Sequence, residues 1–416
     1  MACLRASTRN MRLFLLQIYA YSFFDELIFI YPLYAVMFAD YGLSALQISL
    51  LFTAWSLTGF VLEIPSGTLA DKYSRKHLLL GAQLVRILGF GCWMLHPTFW
   101  GFMTGFVCWG ISGAFCSGTF QALVFDELKQ FGREHAYGKV IGRTRSISLI
   151  AILLASALAS PMARFGYAFL ISAGLVSMML SCVPILFIRP AKKAKSTGET
   201  DYFSLLKQGV GEAIRNRVIR NLMVFTCFAL VIGVLDEYWP ILGRTAGLPR
   251  HMIPLFMGAI CAVEACASAV AHRFERLSHR HFYAAYTLAG ALLLVTSLVM
   301  RPASLLLIPV FTFLLRVSDI VFEAKVQHAI SVEARATVLS VKGFFTEAGV
   351  MPVFFGFGVV AGGYGYQAGF GIYAVIMIFI GMIYLAFGHT TKGKHEPVGP
   401  GVGEKDRSPP FDLLTF

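Results

Sequence analysis

Two pairs of adjacent acids stand inside long apolar stretches of the sequence. They are Asp25 with Glu26 and Asp236 with Glu237. A charge at the centre of a membrane-spanning helix costs at least ~2.5–3.5 kcal/mol on insertion scales, so its presence needs a reason. A carboxyl group that is neutral while it crosses the membrane can carry a proton, which makes at least one acid of each pair a candidate for proton transfer. The alternative is that these acids only hydrogen-bond to neighbouring helices.

Three further charged residues recur at helical spacing in another apolar stretch. They are Arg316, Asp319 and Glu323. Residues at i, i+3 and i+7 lie on one face of an α-helix, and such a polar stripe would contact a substrate or relay protons. The alternative is an Arg316–Asp319 ion pair that only neutralises two charges.

Other polar residues in apolar stretches suggest packing or substrate contact. Glu63 and Arg86 sit at similar depth in neighbouring stretches, so we expect a structural ion pair between them. Tyr21, Gln121 and Tyr238 are candidates for a substrate surface, with packing as the alternative. No nucleophile–base pair stands out, and none of the eight cysteines has metal-ligand spacing, so we expect neither an enzyme nor a bound metal or cofactor.

The stretches that carry these residues are long enough to span a membrane. Of 416 residues, 57% are hydrophobic and only 14% are charged, far less charge than a soluble domain carries. A spanning helix needs ~20 mostly apolar residues, and the chain contains twelve candidates. Spans 1 to 12 are predicted at 13–38, 46–70, 78–96, 99–125, 146–163, 167–188, 219–242, 252–271, 282–300, 303–325, 336–360 and 366–388.

The lysines and arginines concentrate in the loops on one side of these spans. This is the positive-inside pattern, and it predicts that both termini are cytoplasmic. The net charge of +12 is divided among short loops, so we attribute it to attraction for anionic lipid head groups and expect no nucleic-acid partner. The basic loops are those between spans 2 and 3, 4 and 5, 6 and 7, and 8 and 9.

The loop between spans 2 and 3 carries small, acidic and basic residues at close spacing. These residues are Gly67, Leu69, Asp71, Lys72, Arg75 and Lys76. The pattern resembles the loop 2–3 signature of the major facilitator superfamily, G-x-L-x-D-[RK]-x-G-[RK]-[RK], with Ser74 where glycine is usual. The alternative is an ordinary positive turn. The resemblance implies a conformational latch, which would involve Gly67, Asp71, Arg75, Lys76 and Arg143.

The two halves of the chain repeat weakly, at an offset of roughly 200 residues. Both acid pairs are followed by a proline, Pro32 or Pro240, in this repeat. The resemblance implies two pseudo-symmetric six-helix bundles, with spans 1, 4, 7 and 10 around a central cavity. Phe106 departs from the pattern, since many antiporters of the superfamily carry an arginine there. The predicted divisions are a bundle at 1–188, a linker at 189–218, a bundle at 219–390 and a cytoplasmic tail at 391–416.

The sequence thus favours an all-α membrane protein of the major facilitator type, with twelve transmembrane helices. We expect a monomeric secondary transporter in the plasma (inner) membrane of a bacterium, which exports a small organic solute coupled to protons. A proton-coupled importer and a non-transporting receptor on the same fold are the alternatives. ATP-driven transport is not expected, because the chain has no G-x-x-x-x-G-K-[ST] motif.

Overall fold

The computed structural model describes residues 2–188, 224, 225, 227, 233–329 and 335–387. Every regular element in these segments is a helix, and no strand occurs in them. The α-helices are α1 (Ala2–Glu26), α2 (Tyr34–Asp40), α3 (Ala45–Lys72), α4 (Arg75–Leu95), α5 (Phe99–Cys116), α6 (Thr119–Gln130), α7 (Tyr137–Met162), α8 (Tyr167–Phe187), α9 (Trp239–Thr245), α10 (Ile253–Val270), α11 (His279–Val299), α12 (Leu307–Ala329) and α13 (Arg335–Phe387). Short 3-10 helices lie at Glu134–Ala136, Ala163–Phe165, Val234–Tyr238, Arg250–Met252, Ala271–Phe274 and Pro302–Leu306.

Nine segments of the described residues are long and apolar enough to cross a membrane. Eight of them correspond to single predicted spans, namely spans 2 to 6 and 8 to 10. The ninth, Gly343–Phe387, holds spans 11 and 12, which meet at a bend where Gly365 has a φ of 84°. A positive φ is accessible to glycine because it has no Cβ. The prediction of an all-α membrane protein is confirmed, and twelve spans are consistent with this division.

Predicted span 1 is interrupted directly after its acid pair. α1 ends at Glu26, and residues 27–33 form a non-helical connection to α2. Pro32 explains much of this break, because it has no N–H and disfavours helical geometry in the residue before it. The single helix expected over 13–38 is therefore two helices.

Span 7 is irregular at the corresponding place. Asp236 and Glu237 lie in the 3-10 helix Val234–Tyr238, and α9 follows directly. Pro240 is in the first turn of α9, where its missing N–H removes no intrahelical hydrogen bond. Both acid pairs therefore lie beside or within backbone that is not α-helical. Backbone groups near the acids consequently lack the i to i−4 hydrogen bonds of an α-helix.

The helices pack as two groups that follow chain order. In the first, α1 contacts α7 and α8, while α4 packs against α5 and α8. In the second, α11 packs against α12 and α13, and α10 packs against α12. The groups meet where α3 lies against α13 and α7 lies against α10. The predicted linker at 189–218 and tail at 391–416 lie outside the described residues.

Close contacts between small residues bring these helices together. On α13, Gly358 faces Ser49 of α3, and a Cβ added at this glycine would overlap the Ser49 side chain. Small residues let helices approach closely in membranes, where dispersion contacts drive association.

On α5, Phe106 is fully buried, and its ring centroid lies 5.1 Å from that of Trp93. Phe106 therefore packs in the core of the first group of helices, at the position where many antiporters carry an arginine.

Candidate functional site

A central cavity lies between the two groups of helices, in three adjoining compartments that Asp236 borders in common. The first compartment has a volume of about 240 Å³ and lies among the connection after α1, α5, α7 and α10. The second, of about 400 Å³, extends between α3 and α13. The third, of about 250 Å³, extends to α12. Together they have the size and position of a binding site for a small organic molecule.

Carboxylates dominate the charge of this cavity. The acids that line it are Glu63, Asp236, Glu237, Glu264, Asp319 and Glu347. Among the described lining residues, Arg316 is the single cation, and its Nη1 lies 3.3 Å from Oδ2 of Asp319. No ion pair within the described part of the chain involves the other five acids. The cavity therefore has a strong excess of potential negative charge.

Aromatic rings form the walls of the first compartment. The rings of Tyr31 and Trp109 are parallel within 2°, with centroids 5.1 Å apart, and Trp55 lies 5.2 Å from Trp109. On the other side, Trp239 stacks on Phe370 with centroids 5.8 Å apart. Each ring is held by a neighbouring ring, so flat apolar faces are fixed in place around the carboxylates.

Arg86 pairs with Asp25 instead of Glu63. The Arg86 Nη1 lies 2.8 Å from Asp25 Oδ1, and Gln83 Nε2 donates to the same oxygen over 3.0 Å. Arg86 also hydrogen-bonds to the hydroxyl of Tyr31. The expected Glu63–Arg86 pair is therefore wrong: Arg86 binds Asp25, and Glu63 lines the second compartment of the cavity. Of the first acid pair, Asp25 is neutralised by a buried arginine.

Glu26 borders a separate side pocket with the predicted residues Tyr21 and Gln121. This side pocket also contains Arg145 and touches the second compartment at Ser117. Tyr21 and Gln121 thus lie beside the central cavity rather than in it.

Tyr238 is fully buried, and its hydroxyl forms a 2.6 Å hydrogen bond with Oγ of Ser49. It joins the two groups of helices and does not belong to the cavity lining. Arg316 and Asp319 line the third compartment, as the shared face predicted, but Glu323 is absent from that lining. The three residues share a face, but Glu323 lies about one turn further along α12 than Asp319, so the stripe need not fit within one compartment.

The residues of the predicted latch are only partly described. Gly67 has no side chain that could form such a contact, and the structure does not describe the side chain of Asp71. Arg75 forms an ion pair with Asp126 and donates to the carbonyl of Ala122 over 2.8 Å. Lys76 Nζ donates to the carbonyl of Ile188 over 2.9 Å, and Arg143 is exposed. The described basic residues of this loop thus bind within the first group of helices.

At the opposite end, an ion cluster joins the two groups of helices. Asp40, at the end of α2, forms ion pairs with Arg244 of α9 and with Arg250. Tyr167 donates its hydroxyl to Asp40, and the Arg250 guanidinium lies 4.5 Å from the centre of the Tyr167 ring. This Asp40 cluster was not predicted from the sequence, where its signal is one acid and two arginines in loops otherwise poor in charge.

The comparisons with known proteins give a consistent result. The sequence profile of the Major Facilitator Superfamily matches residues 14–349. No curated protein matches the sequence. The solved structure of the nucleoside transporter NupG resembles this one with a TM-score of 0.76 at 13% identity, covering 90% of this chain and 98% of that chain.

Two further solved structures have the same arrangement of helices. A D-xylose–proton symporter matches with a TM-score of 0.67 at 12% identity, covering 91% of this chain and 97% of that chain. A bacterial homolog of the human lysosomal transporter Spinster, in an inward-facing and occupied conformation, matches with a TM-score of 0.67 at 15% identity, covering 91% and 96%. At these identities the likeness shows the fold alone.

Proposed function

The chain belongs to the major facilitator superfamily of transporters, and we propose that it exports a small organic solute by alternating access, in exchange for protons. The observation that carries this proposal is the central cavity, which lies between two groups of helices and is bordered by five acids without ion pairs in the described residues. A site at the interface of two repeats becomes accessible to each side in turn when one repeat rocks against the other.

The distribution of basic residues supports an assignment of sides. At one end of the described helices, the loops and adjoining helix ends carry ten lysines and arginines, and at the other end they carry four. The first set is Arg75, Lys76, Lys129, Arg133, Lys139, Arg143, Arg145, Arg273, Arg276 and Arg280; the second is Arg164, Arg244, Arg250 and Arg301. With the first end cytoplasmic, the Asp40 cluster closes the external end, and the structure corresponds to an inward-facing state. We place the protein, as a monomer, in the plasma membrane of a bacterium with both termini inside.

Asp236 and Glu237 are the best-supported proton carriers. They border the cavity and have no ion pair among the described residues, whereas Asp25 is held by Arg86. Glu26 remains a further candidate in the side pocket. If protons and the solute bind to the same carboxylates in turn, each inward movement of protons is coupled to an outward movement of solute. This coupling favours export. A proton-coupled importer, in which both bind together, is the second candidate.

A labelling experiment tests alternating access without knowledge of the solute. In a variant without native cysteines, Ile152→Cys places a thiol in the first compartment, while Ser146→Cys places one at an exposed site on the same helix. In sealed vesicles of known orientation, a membrane-impermeant reagent should modify Ile152→Cys from both sides and Ser146→Cys from one side. Modification of both thiols from the same single side would contradict transport and support a receptor.

A further inference from the structure

We propose that the solute is an organic cation with a flat aromatic body, bound between the tryptophans and the carboxylates of the first compartment; this inference rests on the proposed function. The juxtaposition that leads to it is that of Asp236, Glu237 and Glu264 with Trp55, Trp109 and Trp239, all in the lining of one compartment.

The first step of the argument concerns charge. Three carboxylates line the first compartment, and its described lining contains no lysine or arginine. The Arg316 guanidinium, in the neighbouring compartment, is already paired with Asp319. These carboxylates can be neutralised by protons or by a cation that binds between them. In the proposed exchange the solute takes the place of the protons, so a cation suits this compartment, whereas an anion would be repelled by the three carboxylates.

The second step concerns the aromatic rings. Trp55 and Trp109 are partly exposed and form one wall of the compartment, whereas Trp239, which stacks on Phe370, borders it with only 1% of its surface exposed. Aromatic faces carry partial negative charge, and they attract cations most strongly where water is excluded. The same faces stack on flat apolar rings. Carboxylates alone would suit a metal ion or an inorganic cation, but this combination suits a cation joined to an aromatic body.

A third and independent observation comes from Thr312 on α12. This residue is 6% exposed, and its Oγ1 has no hydrogen-bond partner in the described residues. It borders the third compartment, which Asp236 and Glu264 also line. Ser318, on the same helix, hydrogen-bonds to the carbonyl of Leu314, four residues earlier. Thr312 does not do so, although a helical threonine can satisfy its hydroxyl in this way. A buried hydroxyl without a partner is costly, so we assign it a polar group of the bound solute.

A binding assay with matched probes tests the ligand class. Three molecules share a two-ring body and differ in charge: N-methyl-4-phenylpyridinium, 4-biphenylmethanol and 4-biphenylcarboxylate. Titration of the purified full chain should show saturable quenching of tryptophan fluorescence by the cation, and at least tenfold weaker binding of the other two. Equal or tighter binding of the neutral or anionic probe would overturn the proposal.

Variants locate the binding site. Asp236→Asn and Glu264→Gln should each weaken binding of the cation by about tenfold or more, because a charge partner in the cavity is lost. Trp55→Leu should weaken it by about two- to thirtyfold, in the range of a cation–π contact. Glu275→Gln, which removes an exposed acid outside the cavity, is the matched control and should bind as the unaltered protein does. Unchanged affinity in both acid variants, with normal elution and thermal unfolding, would overturn the proposal.

The two proposals fail in different ways. If Ile152→Cys reacts from one side only, the proposed transport fails, whatever binds to the cavity. If that thiol reacts from both sides while uridine or D-xylose, and not the cation, binds and is moved, transport stands and the inferred ligand class is wrong.

Discussion

At the scale of single residues, the two acid pairs have different environments despite their similar sequences. Asp25 is neutralised by Arg86 and bound by Gln83, so it belongs to the packing of the first group of helices. Asp236 and Glu237 border the cavity and have no such partner among the described residues. Among the described residues, a cation is thus ion-paired with the first acid pair and none with the second.

The first prediction concerns proton coupling. Asp236→Asn or Glu237→Gln should abolish the component of transport that an imposed pH gradient drives, because an amide cannot bind and release the proton. Exchange of solute for solute, which needs no net proton movement, should persist in at least one of them. Proteoliposomes with a pH gradient, and then without one but preloaded with solute, measure the two processes. A full response to the gradient in both variants would place the coupling site elsewhere, with Glu26 next.

The second prediction concerns Asp25. Asp25→Asn should destabilise the protein by about 3–5 kcal/mol, because it leaves the buried Arg86 charge without its partner. The double variant Asp25→Asn with Arg86→Gln should recover part of that loss. Thermal unfolding in detergent measures both, with Glu275→Gln as the control. If the single variant unfolds like the unaltered protein and loses only proton coupling, Asp25 is a proton carrier after all.

The third prediction separates two roles of Arg316. If Arg316 only neutralises Asp319, then Arg316→Ala should impair transport more than Arg316→Ala combined with Asp319→Ala, since the single variant leaves an uncompensated acid. If Arg316 contacts the solute directly, the double variant should be no better than the single one. Initial transport rates at equal amounts of reconstituted protein decide between them.

At the scale of elements, the short helices α2 and α9 carry the contacts that close one end of the molecule. Each follows an irregular segment, with Pro32 just before α2 and Pro240 in the first turn of α9, and together they bring Asp40 to Arg244. Only a few residues separate α2 and α9 from the acid pairs. A change of charge at the acids can therefore be transmitted along these short segments to the closed end of the molecule. This gives a direct physical route from binding to opening.

The fourth prediction follows from this arrangement. Asp40→Asn should weaken the closed end, because it removes the negative charge that both Arg244 and Arg250 bind. Hydrogen exchange should become faster in α2 and α9 and remain unchanged in α11. Glu134→Gln, at the opposite end of the molecule, is the control. Equal exchange rates in α2 and α9 of both variants would show that the Asp40 cluster contributes nothing to closure.

At the scale of the whole molecule, hydropathy and charge predicted the spans and the acid pairs, because both are properties of short stretches of chain. The partner of Arg86 was not predictable in the same way: sequence gives depth along a helix, but which neighbour a side chain faces depends on how helices are rotated. The Asp40 cluster was not predictable because its members, Asp40, Tyr167 and Arg244 with Arg250, come from three segments that lie far apart in sequence. The absence of Glu323 from the lining of the third compartment likewise depends on how far that compartment extends along α12, which the sequence does not give.

The contact between Gly358 and Ser49 affects the equilibrium between the conformational states of the molecule. In this conformation α3 and α13 touch with no room for a methyl group, but an arrangement in which they part would accept one freely. Gly358→Ala should therefore penalise this state alone, by about 1–3 kcal/mol, and shift the ratio of the two states by roughly five- to 150-fold. Spin labels on α2 and α9 should then report a longer mean distance. A side chain one carbon larger would thus favour the state in which α3 and α13 are apart.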